Sequence, residues 1–142
     1  MSGQNPGREL EQVLAAWPPA QAGLKRALVT LKTWAEALPG AILSFVARPG
    51  ISHSLRFDLQ PRPGDRQRQV FFLVDVVNSG GELFLSVCFY EDEISDPEER
   101  GNAIPQGLFR ETGYCFDVDD YDDDQMAYLK YRLAEAHQSA SR

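Results

Sequence analysis

Hydrophobic residues are densest in two runs, residues 70–77 and 83–90, which flank the polar sequence Asn-Ser-Gly-Gly at residues 78–81. Two apolar runs around a short turn rich in Asn and Gly are typical of a β-hairpin. With a four-residue loop, strand alternation predicts one wholly apolar face, formed by Val70, Phe72, Val74, Val76, Leu83, Leu85, Val87 and Phe89. The other face mixes apolar and polar residues. The pattern therefore predicts a sheet with a core face and a second face that is only half covered.

A second hairpin is predicted for residues 41–47 and 52–59, on either side of the sequence Arg-Pro-Gly-Ile at residues 48–51. Proline suits the first turn position, and glycine tolerates the positive φ of the second. Pairing the strands across this four-residue loop places Leu43 and Phe45 on the mixed face. The second hairpin is thus expected to have the same two kinds of face as the first.

Apolar residues at helical spacing predict three helices, at residues 8–17, 20–38 and 122–138. The second helix has the clearest apolar stripe, formed by Leu24, Ala27, Leu28, Leu31, Trp34, Ala35 and Leu38. Residues 91–113 are rich in acidic residues, proline and glycine. They predict an irregular loop, followed by a short fifth strand at residues 114–118.

Together these elements predict an α+β fold. Its sheet is mainly antiparallel, with four to five strands from two hairpins, and two N-terminal helices and one C-terminal helix pack on one face. The 142 residues suffice for one domain whose core needs neither a metal nor a disulfide. Residues 1–142 are therefore expected to form a single domain, with flexible tails at residues 1–7 and 139–142.

The net charge of −7 is unevenly distributed along the chain. Residues 1–68 hold 9 Lys and Arg against 5 Asp and Glu, whereas residues 69–142 hold 5 against 16. This acidity argues against nucleic acid as a partner. Five arginines near the predicted hairpins either form a solvated rim or receive an anionic group: Arg48, Arg56, Arg62, Arg66 and Arg68.

Two further features concern location. No apolar run approaches the roughly 18 residues that a membrane span needs, so no membrane is expected as a partner. The N-terminal sequence lacks the basic and apolar segments of a secretory signal. A cytoplasmic location is therefore expected.

The acidic run at residues 117–124 is a candidate binding site for a divalent cation, because several carboxylates lie close together in the sequence. The candidate ligands are Asp117, Asp119 and Asp122. The run does not fit an EF-hand loop, because counting from Asp120 places Gln125 at the glycine position. The competing interpretation is that these aspartates cap the last helix and cover a solvated turn.

The remaining reactive side chains predict no chemistry. Cys88 and Cys115 form no C-x-x-C pair, and two buried, reduced thiols are expected, whether or not they lie close together. His53 is expected at the rim of the sheet and His137 at the end of the last helix. No catalytic residue and no cofactor are predicted, so an enzyme is the less favoured class.

The function that these patterns favour is a small non-catalytic interaction or adaptor module that uses the mixed sheet face. Its partner is another protein or a second copy of the chain. The expected contact residues are Leu43, Phe45, Phe71, Leu73 and Phe84. A competing interpretation is that the first helix or the loop at residues 91–113 covers this face. The alternative function is a ligand- or divalent-cation-binding domain, with a site at the loop 91–113 and the acidic turn 117–124.

Overall fold

The computed structural model describes residues 6–48 and 52–142 of the chain. Its helices and strands are α1 (Pro6–Ala15), α2 (Ala22–Glu36), β1 (Ala41–Arg48), β2 (Ser52–Leu59), β3 (Phe72–Ser79), β4 (Glu82–Tyr90), β5 (Asn102–Leu108), β6 (Glu111–Val118) and α3 (Asp123–Ala140). Residues 1–5 of the predicted N-terminal tail and residues 49–51 of the predicted turn lie outside the described residues. The C-terminal helix extends to Ala140, so it includes two residues that were expected in the C-terminal tail.

The fold is α+β, with a single antiparallel sheet in the order β1-β2-β3-β4-β6-β5. The class and the three helices agree with the prediction, whereas the sheet has six strands instead of four or five. Within the described residues, none of the helices has the length and apolar character needed to cross a membrane. That the whole chain forms one domain stays a prediction.

The additional strand belongs to a third hairpin, formed by β5 and β6 where a loop was predicted. Pro105 lies within β5, and the register between the two strands shifts along their length. The turn residues Phe109 and Arg110 have positive φ angles of 48° and 69°. Such angles usually require glycine or asparagine. The hairpin therefore forms without the glycine or asparagine at its turn that normally indicates a hairpin in a sequence.

The β3–β4 turn is shorter than predicted. Gly80 and Gly81 have φ angles of 62° and 92° and form a two-residue turn, so Ser79 pairs with Glu82. The predicted four-residue loop is wrong, and the strand register differs from the predicted one by two residues. A shift of two leaves every side chain of β3 and β4 on its predicted face, because strand side chains alternate with a period of two. Val70 and Phe71 precede β3, and each lies on the face opposite to the predicted one.

The β1–β2 register differs from the prediction by one residue. Arg48 pairs with Ser52, and Leu43 lies opposite Phe57. A shift of one exchanges the two faces of a strand. Leu43 and Phe45 therefore pack toward the helices rather than lying on the mixed face.

All three helices contribute to one core on a single face of the sheet, which we call the helix-covered face. The predicted stripe of α2 is confirmed by its buried residues Leu24, Ala27, Leu28, Leu31 and Ala35. The predicted cap of α3 is also confirmed, since Asp122 accepts a hydrogen bond of 2.8 Å from the Gln125 amide. We call the opposite side of the sheet the open face.

Candidate interaction surface

One end of the open face is covered by the tip of the β5–β6 hairpin. The tip contributes to a small buried cluster of Val70, Leu73, Cys88, Tyr90 and Leu108. The next residue, Phe109, reaches β2, where the Arg56 guanidinium carbon lies 5.2 Å from its ring centre. The competing interpretation, in which the segment after β4 folds across this face, therefore holds for one end of it.

The other end of the open face carries an apolar pair surrounded by carboxylates. Phe84 lies directly opposite Val77, and both are half-buried and belong to neither hydrophobic cluster. Four acidic residues surround this pair on the same face or at its margin: Asp75, Glu82, Asp117 and Asp119. We call these six residues the Phe84 patch. A depression of about 380 Å³ beside Phe84 is lined by Glu82 and Asp119.

The Gln21 side chain fixes the strand that carries Phe84. Its amide nitrogen donates to the Leu83 carbonyl at 2.7 Å, and its oxygen accepts from the Leu83 amide at 3.0 Å. Pairing between β4 and β6 extends only to Leu85, so Gln21 supplies partners to the backbone beyond it. The main chain next to Phe84 is thereby held in an extended conformation.

The five residues expected to contact a partner do not share one surface. Leu43, Phe45 and Phe71 pack in or against the core under the helices, and Leu73 is buried beneath the hairpin tip. Phe71 precedes β3, so strand alternation does not apply to it. Phe84 alone of the five lies in the exposed part of the open face. Whether any of them binds a partner stays a prediction.

The arginines of the β2–β3 connector have structural partners. Arg66 makes two hydrogen bonds to the Glu93 carboxylate, at 2.6 and 3.1 Å, and donates at 2.8 Å to the Val70 carbonyl. The side chains of Arg66 and Glu93 are only 11% and 5% exposed. This buried pair fastens the connector to the segment that follows β4.

Arg68 fastens the same connector to the hairpin tip. It contacts Asp92 at 2.8 Å and Glu111 at 2.6 Å, and its guanidinium carbon lies 4.2 Å from the centre of the Tyr90 ring. Hydrogen bonds to the two carboxylates raise the pKa of Arg68. Burial raises the pKa of Tyr90 to about 12. The positive charge of Arg68 is already neutralised by Asp92 and Glu111, so Arg68 is not favoured as a binding site for a further anion.

Asp96 organises the loop between β4 and β5. Its carboxylate accepts hydrogen bonds from the Tyr114 hydroxyl at 2.6 Å, from the Tyr128 hydroxyl, and from the Gly101 and Arg100 amides at 2.9 and 3.0 Å. Burial disfavours the charged form, but these four donors outweigh it and lower the pKa of Asp96. The hydrogen bond to Asp96 raises the pKa of Tyr114 to about 12, and burial is the second cause of this rise. The sequence offers no spacing signal that would single out this aspartate.

The acidic turn after β6 is divided among separate structural tasks. Asp122 caps α3, Asp120 accepts a hydrogen bond from the Tyr121 amide, and Asp124 forms an ion pair with Arg100. Asp117 and Asp119 instead lie at the Phe84 patch. Among the residues that the structure describes, no three His, Cys, Asp or Glu side chains are grouped as a metal site would require. The cation candidates Asp117, Asp119 and Asp122 are thus not brought together.

Cys88 and Cys115 lie directly opposite each other on β4 and β6 and form a disulfide, with their Cα atoms 4.2 Å apart. The prediction of two reduced thiols is therefore wrong. It followed from the expected cytoplasmic location, which stays a prediction. The sequence does not give the register between these two strands, because it predicts an irregular loop for the segment before β6.

Both histidines have packing contacts. His53 stacks on Phe45 with ring centres 5.7 Å apart, near the end of the β1–β2 hairpin. His137 lies near the end of α3, where its Nε2 is 2.8 Å from the Pro39 carbonyl oxygen and its ring meets Phe71 edge-on. Neither contact includes a nucleophilic side chain. The surface that stands out is therefore the Phe84 patch.

Comparison with known proteins identifies no relative: no family model, no curated protein and no solved structure matches this chain.

Proposed function

We propose that the chain is a non-catalytic protein-interaction module that binds a basic, apolar protein segment at the Phe84 patch. The observation that supports this most directly is the composition of the patch. Phe84 and Val77 offer an apolar contact, and the carboxylates around them favour a partner with positive charge. An apolar centre within a polar, solvent-accessible rim is the usual arrangement of a protein interface.

The surroundings of the patch support a binding role. The Gln21 contact holds the backbone beside Phe84, and the Cys88–Cys115 disulfide, toward the other end of the same face, joins the strands β4 and β6 that carry Phe84 and Asp117. A rigid surface loses little conformational entropy on binding, and this preserves affinity. The acidic half of the chain, residues 69–142, contributes all of the patch and would also attract a basic partner over a distance.

The test uses two synthetic peptides, one of alternating Lys and Leu and one in which Glu replaces every Lys. Each peptide is titrated into the ¹⁵N-labelled chain, and amide shifts are followed by NMR. The basic peptide is expected to shift the signals of Val77, Phe84 and Asp117, and the acidic peptide is expected to leave them unchanged. Raising the salt concentration should weaken binding of the basic peptide, because salt screens the attraction between exposed charges.

Matched variants separate a site from diffuse attraction. Phe84→Ala should weaken binding of the basic peptide. Phe109→Ala, at the other end of the same face, should leave that binding unchanged. Asp117→Asn combined with Asp119→Asn should weaken binding more than the same neutralisation at Glu98 and Glu99, which lie in the β4–β5 loop. Equal effects of the two charge-neutralised pairs, or shifts spread over the acidic loop, would contradict the proposal.

A further inference from the structure

The two outer strands of the sheet differ in how well they are protected from pairing with another strand. β5 is shielded by several features: Pro105 lies within it, its register to β6 shifts, and Gln106 has a positive φ of 58°. Irregularity and proline are the means by which sheet edges avoid further pairing. The β5 edge therefore does not offer a regular strand for pairing.

β1 has none of these features. Its eight residues pair with β2 in one continuous register from Ala41 to Arg48, without a bulge. It contains no proline, and its sole charged residue is Arg48 at the end. No strand within the described part of the chain pairs with its outer side. Ile42, on the open face of β1, is 52% exposed, which is unusual for an isoleucine.

We propose that two copies of the chain pair through their β1 strands, antiparallel and about a two-fold axis at Ser44, to form one continuous sheet. The axis is perpendicular to the sheet, so residues that face each other must lie on the same face. With Ser44 opposite its own copy, Ile42 lies opposite Val46, and Leu43 lies opposite Phe45. These contacts bring apolar residues together on both faces of the sheet. The hydroxyl groups of the two central serines are placed to hydrogen-bond to each other.

The sequence of β1 favours a second copy over a different partner. In this register the strand matches its own copy, because Ile42, Leu43, Phe45 and Val46 each face an apolar residue, as a self-complementary isologous interface requires. It places Arg48 opposite Gly40 at the strand end, so no like charges face each other across the pair. The perpendicular axis also leaves both open faces on the same side of the dimer. The inference does not depend on what binds at the Phe84 patch.

The first test is the mass of the wild-type chain by sedimentation equilibrium, with about 32 kDa expected from two chains of 15.9 kDa. Ile42→Lys should give a monomer. In a dimer of this variant, the new lysine of each copy would lose its hydrating water and lie against apolar residues at the pairing edge. The matched control is Ile104→Lys, since Ile104 is 42% exposed on the protected edge strand β5. That control should remain a dimer.

A charge pair tests the register. Val46→Glu alone should weaken the dimer, and Ile42→Lys combined with Val46→Glu should restore it, because the new lysine of one copy then faces the new glutamate of the other. The two positions are four residues apart on one extended strand, too far for this pair to form within a single copy. Circular dichroism of each variant confirms that it is folded.

A cross-linking test does not rely on loss of assembly. Ser44→Cys should form a disulfide-linked dimer under mild oxidation, since the two residues are expected to be directly opposite, whereas Asn102→Cys on β5 should not. A wild-type monomer, a dimer that persists in Ile42→Lys, or a Ser44→Cys variant that does not cross-link overturns the proposal. A wild-type monomer would leave the β1 edge for a strand of another protein. Binding of the basic peptide by Ile42→Lys would show that the Phe84 patch acts independently.

Discussion

Replacing Asp96 by asparagine tests whether this carboxylate is the main anchor of the β4–β5 loop. The carboxylate accepts four hydrogen bonds, which join the loop to Tyr114 on β6 and Tyr128 on α3. An asparagine oxygen retains acceptor positions for about two donors, and its NH₂ group would face the others. Tyr128 is only 8% exposed, so its hydroxyl has limited access to water as a replacement partner.

The expected loss follows from the number of bonds that break. A hydrogen bond to a charged group contributes about 1.5–3 kcal/mol, so losing two costs about 3–6 kcal/mol. Asp96 itself is half-buried, and water recovers part of this, so we expect about 2–4 kcal/mol. For a chain of this length, about 3 °C is lost per kcal/mol, which gives a fall in Tm of about 6–12 °C.

The assay is urea and thermal unfolding of the wild type, Asp96→Asn and the control Asp65→Asn, which alters an exposed carboxylate in the connector. The pH dependence adds a second test. A carboxyl group whose pKa is lowered by folding stabilises the protein above its unfolded pKa of about 3.9, and this contribution is lost as the pH falls. The difference between wild type and Asp96→Asn should therefore be complete at pH 7 and shrink below about pH 4. An Asp96→Asn variant as stable as the control at pH 7 would refute the reasoning.

Three further predictions concern other contacts of the fold. Gly101→Ala should cost about 1–3 kcal/mol in urea unfolding, since a new Cβ would lie 2.5 Å from the nearest aromatic carbon. Reducing the Cys88–Cys115 disulfide, whose residues are 27 apart, should lower the unfolding free energy by about 3–4 kcal/mol, and a variant with both cysteines replaced by serine should not respond to reductant. Glu93→Leu should cost about 3–5 kcal/mol, because it leaves Arg66 charged and buried, and adding Arg66→Met should recover much of that loss.

The elements with the strongest periodicity were predictable from the sequence. The stripe of α2 depends only on a repeat of 3.6 residues, which the sequence displays directly, and five of its predicted apolar residues are buried. The faces of β3 and β4 were also correct from Phe72 onward, because an error of two residues in register does not alter alternation. A two-residue turn at Gly80 and Gly81 is what places Val77 opposite Phe84.

The remaining errors arise where geometry is not encoded by residue type. In β1, a pairing register that differs by one residue reversed the faces and moved Leu43 and Phe45 from the expected partner surface to the core. The β5–β6 turn is formed by Phe109 and Arg110, whose backbone angles a sequence pattern assigns to other residues. Without that hairpin, the cysteines had no predicted register and their disulfide could not be inferred.

The candidate surface was only partly predictable for a related reason. Phe84 was identified because strand alternation places it away from the core, but its acidic neighbours come from β3, β4 and the end of β6. Their proximity depends on the strand order, in which β6 rather than β5 lies next to β4. Strand order is a long-range property, so local patterns do not specify it.

The stabilising contacts of the open face are unevenly distributed, and this connects the two proposals. The disulfide, the Arg66–Glu93 pair and the hairpin tip all lie toward the end where Leu108 is buried. Beyond them, within the described residues, the hairpin tip does not cover the Phe84 patch, and no strand pairs with the outer side of β1. These are the two surfaces at which we propose that another molecule binds. If β1 joins two copies about an axis perpendicular to the sheet, each dimer presents two Phe84 patches on one side, so a partner with two basic segments should bind the dimer more tightly than Ile42→Lys monomers.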